Sequence, residues 1–260
     1  MSQIAIDQDL CKKDGVCVDV CPARFLTRDG NGFPAEVPEG HCIECGHCAA
    51  VCPSGAFTHS GLPGEPFLPA SKTLPDAELI DDFLMSRRSI REFKPRPVAK
   101  DVIEKLLDVA RRAPTASNSQ NLHWIVVEGE EKLHAIAQAT IDGMRSKGVN
   151  PLLLQQWENG YDFVLRGAPT LVVACAPEDY AWRKEDCAIA LTFLEIAAEA
   201  RGIGVCWGGY VTRCAGIHEP LRQLLAVPEG FAVSGALMLG QGKYRYKKVP
   251  PRKPLSVQWN

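Results

Sequence analysis

The 260-residue sequence has no G-x-G-x-x-G turn, Walker loop, G-x-S-x-G elbow or H-E-x-x-H pair, so dinucleotide-fold, nucleoside-triphosphate, serine-hydrolase and zinc-protease readings lose support. It also lacks charge imbalance: 23% of residues are charged and the net charge is only -2, which leaves no electrostatic footprint for nucleic acid. Long apolar runs are missing too. The longest, Leu171 to Ala176, is far short of the about 20 residues that span a bilayer. The start, M-S-Q-I-A-I-D, has neither the basic residues nor the apolar stretch of a secretory signal. The expectation is a cytoplasmic protein with no membrane or nucleic-acid partner.

Cysteine is abundant, with eleven residues, and without a secretory signal metal ligation, redox chemistry or burial are better uses for them than disulfides. Seven of them (Cys11, Cys17, Cys21, Cys42, Cys45, Cys48 and Cys52) fall in the first 52 residues, while Cys175, Cys187, Cys206 and Cys214 are scattered. Two regimes of cysteine use imply two domains, as does a length greater than one small core needs. The stretch Gly61-Leu62-Pro63-Gly64-Glu65-Pro66-Phe67-Leu68-Pro69 opposes both helix and central strand and reads as a connector. The expected organisation is a first domain over 1–60, a linker over 61–75 and a second domain over 76–260. Residues 1–60 hold eight acids and four bases, a net of -4, which leaves +2 for the remainder.

The segment from Cys42 to Pro53 reads C-x2-C-x2-C-x3-C-P, and Cys11 to Pro22 repeats that frame 31 residues earlier with Asp14 in place of the second cysteine. Zinc also binds thiolates, but it does not account for seven thiols in a duplicated frame with the C-P ending. The pair resembles the two-cluster bacterial ferredoxins over residues 1–60. That resemblance implies one cluster on Cys42, Cys45, Cys48 and Cys21, and another on Cys11, Cys17 and Cys52. At the second cluster, either the Asp14 carboxylate binds the fourth iron or that iron is absent, leaving a 3Fe-4S centre. His41 and His47 read as incidental.

Downstream, Asp76 is placed to cap a helix whose Leu79, Ile80, Phe83 and Leu84 share a face, and Val102, Ile103, Leu106, Leu107 and Ala110 repeat the spacing; both faces are expected in the core. Trp124 to Val127, Leu171 to Ala176 and Val233 to Leu239 read as strands, and Lys184 to Arg201 as a long helix stopped by Gly202. The expected fold class is α+β, a ferredoxin-like domain followed by a three-layer α/β/α domain.

Arg87-Arg88-Ser89-Ile90-Arg91-Glu92-Phe93 follows the first of these helices, and Ala113-Pro114-Thr115-Ala116-Ser117-Asn118-Ser119-Gln120 follows the second. Guanidinium groups suit a phosphate, and the polar loop offers hydrogen bonds to a polar ring system. The pair R-R-S-x-R-x-F and A-P-[ST]-x-x-N-x-Q, with Gly202 to Gly209 (G-I-G-V-C-W-G-G), Leu239-Gly240 and Arg252-Lys253-Pro254-Leu255, resembles the nitroreductase family of FMN flavoproteins from about residue 78 onward. The resemblance implies that Arg87 and Arg252 hold the FMN phosphate with support from Arg88 and Ser89. It puts Arg91 at the flavin pyrimidine edge, where a cation favours the reduced flavin. Pro114, Thr115, Ala116 and Asn118 match a loop that reaches FMN from the other subunit of an obligate homodimer, and Trp207, Gly208 and Gly209 match the segment lining the ring near N5. Asn121-Leu122-His123-Trp124 departs from the family's usual Q-P-W.

The expected function is reduction of an electron-poor small molecule, such as a nitroaromatic or quinone, by FMN, with electrons relayed through the two clusters. An external ferredoxin or NAD(P)H would be the donor. Two alternatives stand beside it: a non-enzymatic electron-transfer or redox-sensing protein, and a flavin-modifying or dehalogenating specialist. The four downstream cysteines are expected to be buried packing thiols.

Overall fold

The 31-residue offset between the cysteine frames is an offset between two copies of one strand-helix-strand unit. In the computed structural model, which describes residues 3–62, 64–148 and 151–260, the first copy is β1 (Ile4–Ile6), α1 (Val16–Asp19) and β2 (Leu26–Arg28). The second is β3 (Pro34–Glu36), α2 (His47–Val51) and β4 (Phe57–His59). Each copy's ribbon is closed by the other: β1 pairs antiparallel with β4, and β2 with β3. Both short helices begin after a glycine in the left-handed region, Gly15 at φ 78° and Gly46 at φ 72°, a conformation that costs glycine nothing. Cys17, Phe25, Leu26 and Phe57 form the small core, with other cysteines packed on it.

The chain divides into two compact units, one of Met1–Leu74 with Ser117–Ser119, the other of Pro75–Ala116 with Gln120–Asn260. Met1 and Ser2 of the expected first domain, and Pro63 of the expected connector, lie outside the described residues.

The second unit is built on a four-stranded antiparallel sheet in the order β5-β6-β8-β7: β5 (His123–Glu128), β6 (Thr170–Pro177), β8 (Phe231–Gly240) and β7 (Gly204–Trp207). The central strand β6 reads as an unbroken apolar run because both of its faces are covered. Leu171, Val173 and Cys175 point into one core, while Val172, Ala174 and Ala176 point into the other, as a period of two requires. The first core is completed by α5 (Glu130–Ser146), α6 (Pro151–Glu158), α8 (Gly209–Ala215) and α9 (Glu219–Leu224), the second by α4 (Lys100–Ala110) and α7 (Arg183–Glu199). Helices on both faces of the sheet make the expected three layers.

One expectation is corrected. Helix α3 (Ala77–Ser86) is capped as read, with Asp76 Oδ1 accepting from the Leu79 amide at 3.0 Å, but none of its residues is buried and Leu79 is 69% exposed. Its sequence has the amphipathic stripe of a core helix, yet among the described residues no element covers the stripe beyond half-burying Phe83. The second helix face is in the core as read, through Ile103, Leu106 and Ala110. Among the described residues, no helix is long and apolar enough to cross a membrane.

Candidate functional site

In the first unit the seven cysteines surround two cavities. One is lined by Cys21, Cys42, Cys45 and Cys48 together with Ile4, Phe25, His47 and His59. The other is lined by Cys11, Cys17, Cys52 and Asp14 with Ile6, Pro34 and Phe57. Each cavity therefore draws sulfur from both repeats, because the cysteine before the proline in each frame lies beyond the end of its short helix and faces the opposite copy. The cysteines ring a space rather than converge on a point: among the described residues, no three His, Cys, Asp or Glu side chains gather as a mononuclear metal would require. Soft donors around an apolar void fit a polynuclear iron-sulfur group.

Hydrogen bonds reach these sulfurs. The Phe25 amide donates to Cys21 Sγ and the Glu44 amide to Cys42 Sγ, both at 3.3 Å. Burial pushes the Cys48 thiol up to about 11 and also raises Cys17 and Cys42, so ligation would release protons. At Cys52 burial acts upward as well, but the Ser54 hydroxyl and the amides of Ser54, Ala56 and Phe57 outweigh it and the thiol is lowered. Asp14 Oδ1 accepts from the Val16 amide at 3.2 Å, which turns the carboxylate along the start of α1. Position 59, eight residues beyond α2, carries no sequence signal of its role; only the closing of β4 on β1 brings His59 to the cavity wall.

In the second unit, the segment Arg87 to Arg91 runs beside β7: Ser89 bridges Val205 and the Ile90 amide donates to Val205 O at 2.9 Å. That apposition requires a glycine at 204, since a Cβ there would lie 2.6 Å from Ile90 Cγ1. Arg91 thereby reaches a cleft of about 320 Å³ that it lines with Trp207, Gly209, Phe163, Tyr210, Arg166 and Arg213. Of the residues expected at a cofactor, the cleft gathers Arg91, Trp207 and Gly209, and Gly208 immediately precedes α8, its amide donating to Ala236 O at 2.8 Å. Arg166 and Arg213 belong to no recognisable sequence pattern and add two further cations to the same cleft.

Arg87 stands behind Trp207. Its Nη1 donates to Glu195 Oε1 at 2.7 Å, and Glu195 Oε2 accepts from Trp207 Nε1 at 3.2 Å, so one buried carboxylate on α7 holds both. Burial, opposed by Arg87 and reinforced by Glu195, raises the Glu199 carboxyl one turn along. Arg88 Nε is buried without a hydrogen-bond partner among the described residues, although Nη2 of the same group donates to Met85 O. An orphaned guanidinium N–H beside two further arginines fits an anionic group such as a phosphate. Cys206 lies in the cleft wall with its thiol raised by burial, against the pull of Arg91 and Arg166. Cys175, Cys187 and Cys214 are buried as well.

The Pro114 to Asn118 loop and Arg252 are not among the residues lining the cleft. The loop is held by Asp186, a residue only 3% exposed, whose two carboxylate oxygens each accept from the Ala116 amide at 3.2 Å while the Tyr180 hydroxyl donates to Oδ2 at 2.5 Å. Thr115 Oγ1 accepts from the Gln120 amide at 3.1 Å, and Ser117 and Asn118 adopt positive φ. Neither Asp186 nor Tyr180 was legible as a loop anchor. Arg252 lies in the exposed extended segment after β8.

Comparison with known proteins places these features. A family model described as a 4Fe-4S dicluster domain matches residues 3–53, and the nitroreductase family model matches residues 84–241. An Archaeoglobus fulgidus protein bearing the name NADH dehydrogenase/NAD(P)H nitroreductase is 31% identical over 165 residues, covering 62% of this chain and 83% of that one. The crystal structure of a Bacteroides fragilis nitroreductase with bound FMN superposes with a TM-score of 0.57 at 23% identity, covering 69% of this chain and 98% of that one. An FMN-dependent nitroreductase from Clostridium difficile does so at 0.53 and 27%, covering 68% and 97%. With one family model spanning more than half of its length and the other residues 3–53, the chain belongs to the nitroreductase family and carries a 4Fe-4S dicluster domain ahead of the nitroreductase domain.

Proposed function

We propose that the protein is an FMN-dependent reductase of electron-poor small molecules, nitroaromatics or quinones among them, in which electrons enter through two iron-sulfur clusters. The observation that carries this reading is the pairing, in one chain, of two cysteine-lined cavities with a cationic cleft walled by Trp207 and Gly209. FMN supplies hydride or single-electron transfer through its ring, and the clusters supply one-electron carriers. Cys21, Cys42, Cys45 and Cys48 hold one cluster; Cys11, Cys17 and Cys52 hold the other, with Asp14 either completing it or leaving a 3Fe-4S centre.

The chain's own groups do the rest. Arg91 and Arg213 have no carboxylate partner among the described residues, so their charge is available to the cleft, and Arg91 faces the flavin edge where negative charge develops. Arg87, Arg88 and Ser89, with Arg252, bind the phosphate. Gly208 and Gly209 admit the ring, and a Cβ at Gly209 would meet open space rather than protein. The homodimer reading is supported by the uncovered stripe of α3 and by Leu255 and Trp259, both about nine-tenths exposed in the C-terminal segment. In that assembly Pro114, Thr115, Ala116 and Asn118 complete the partner's cofactor site. The electron donor is an external ferredoxin or NAD(P)H.

Anaerobic purification followed by iron, sulfide and flavin quantitation tests the reading. About seven to eight irons and one FMN per chain support it, with a mass twice 28.4 kDa in light scattering. Zinc in place of iron refutes the cluster half, and a colourless protein that takes up no FMN refutes the flavin half.

A further inference from the structure

The two halves of the first unit are copies, but they are not equipped alike. Shifting β4 back by 31 residues superposes His59 on Arg28 at the end of β2. Arg28 uses its guanidinium on main-chain carbonyls, donating to Lys13 O at 3.2 Å and Asp14 O at 2.9 Å. His59 does something different. Its Nε2 lies 3.3 Å from Cys42 Sγ, and its Nδ1 accepts the Gly61 amide at 3.0 Å. Because Nδ1 is an acceptor, the proton of the neutral ring is on Nε2, and the hydrogen bond runs from imidazole to sulfur.

The ring is held for this task. His59 is 8% exposed, and its backbone is in register with Ile4 in the β1–β4 ribbon. The return of the chain is fixed by the Ser60 amide donating to Gln3 O at 2.8 Å. A Cβ at Gly61 would sit 2.6 Å from Oε1 of the exposed, movable Glu44 side chain and 3.0 Å from His59 Cε1. The Glu44 amide is a second donor to the same sulfur.

We propose that His59 is a positioning residue that raises the reduction potential of the cluster on Cys21, Cys42, Cys45 and Cys48 by donating an N–H to the Cys42 thiolate. The proposal rests on the iron-sulfur reading above. Reduction adds negative charge that is shared by the ligand sulfurs, so a donor fixed at one sulfur stabilises the reduced form more than the oxidised one. The repeat-related cavity, with Arg28 turned to carbonyls, receives no such donor from that position, which makes the two centres electronically unequal.

The test is a redox titration of the whole protein followed by EPR, with the second cluster as internal reference. His59→Phe keeps a ring but removes the donor; His59→Gln returns an N–H of similar reach. The expected result is unchanged iron content in both variants and a lower potential for the Cys42 cluster in His59→Phe. The shift should be about tenfold in the oxidised-to-reduced ratio, or about 59 mV for one electron, with His59→Gln recovering part of it and the second cluster unmoved. Equal shifts in both variants, no shift with iron intact, or loss of the cluster from both would overturn the proposal, the last by making His59 a scaffold residue. A wild-type protein without iron overturns the iron-sulfur reading itself, and is recognised before any variant is titrated.

Discussion

Replacing Glu195 tests whether one carboxylate organises the wall of the cleft. Its side chain is 9% exposed and that of Arg87 is 26% exposed, so the pair at 2.7 Å is neither fully solvated nor fully dry. A hydrogen bond to a charged group contributes about 1.5 to 3 kcal/mol, and breaking a fully buried ion pair from one side costs about 3 to 5 kcal/mol. The quarter of Arg87 that remains in water moves the figure toward the lower range. Glu195→Gln keeps the volume and one acceptor, which can still serve Trp207 Nε1, but removes the ionic component to Arg87. We expect a loss of about 2 kcal/mol, or roughly 4 to 8 °C in Tm for a unit of this size. A double-mutant cycle with Arg87→Met, read by thermal unfolding of the flavin-loaded protein, should show a coupling of about 1 to 2 kcal/mol. Tryptophan emission in Glu195→Ala should also move to the red, because Trp207 loses its acceptor. Coupling below about 0.5 kcal/mol, the range expected of independent sites, would refute the reasoning.

Further outcomes follow from the geometry. Gly204→Ala presses on Ile90 and should cost about 1 to 3 kcal/mol as overpacking, with weaker FMN retention measured by ultrafiltration, since Ser89 and Arg91 flank the displaced residue. Burial pushes the thiols of Cys175 and Cys187 from 9.0 up to about 12. Because the folded values are raised, their contribution is complete below pH 9 and is lost as pH climbs from 9 to 12; denaturation at pH 8 and 10.5 should show the drop, and Cys175→Ala should reduce it. Asp14→Cys completes the first cysteine frame in its cavity and should give about eight irons and no 3Fe-4S signal on oxidation; a persistent 3Fe-4S signal would show that position 14 does not face the missing iron.

Legibility in the sequence followed physical range. The duplicated cysteine frames were readable because most of each cavity's sulfurs come from one short stretch of chain, and β6 because a strand covered on both faces has no polar positions to interrupt it. The cap of α3 at Asp76 is equally local. Its uncovered stripe was not legible, since amphipathicity reports that a face needs a partner and not which chain supplies it. Glu195, Asp186 and His59 were hidden for a related reason: their partners lie 108, 70 and 17 residues away, and no spacing rule connects them. Arg166 and Arg213 carry no local pattern, and they meet only because the loop before β6 and helix α8 border the same cleft.

The exchange of sulfur between the two repeats has a consequence for biosynthesis. Cys21 waits for Cys42, Cys45 and Cys48, while Cys11 and Cys17 wait for Cys52, so the first cavity lacks its full set of cysteines until the 48th residue has been made and the second until the 52nd. A nascent first half holds the complete cysteine set of neither cavity, and neither does a chain truncated between the repeats. Duplication here produced two mutually dependent vessels rather than two spare ones, and on the proposed ligand assignment that ties the delivery of iron to the emergence of the second repeat.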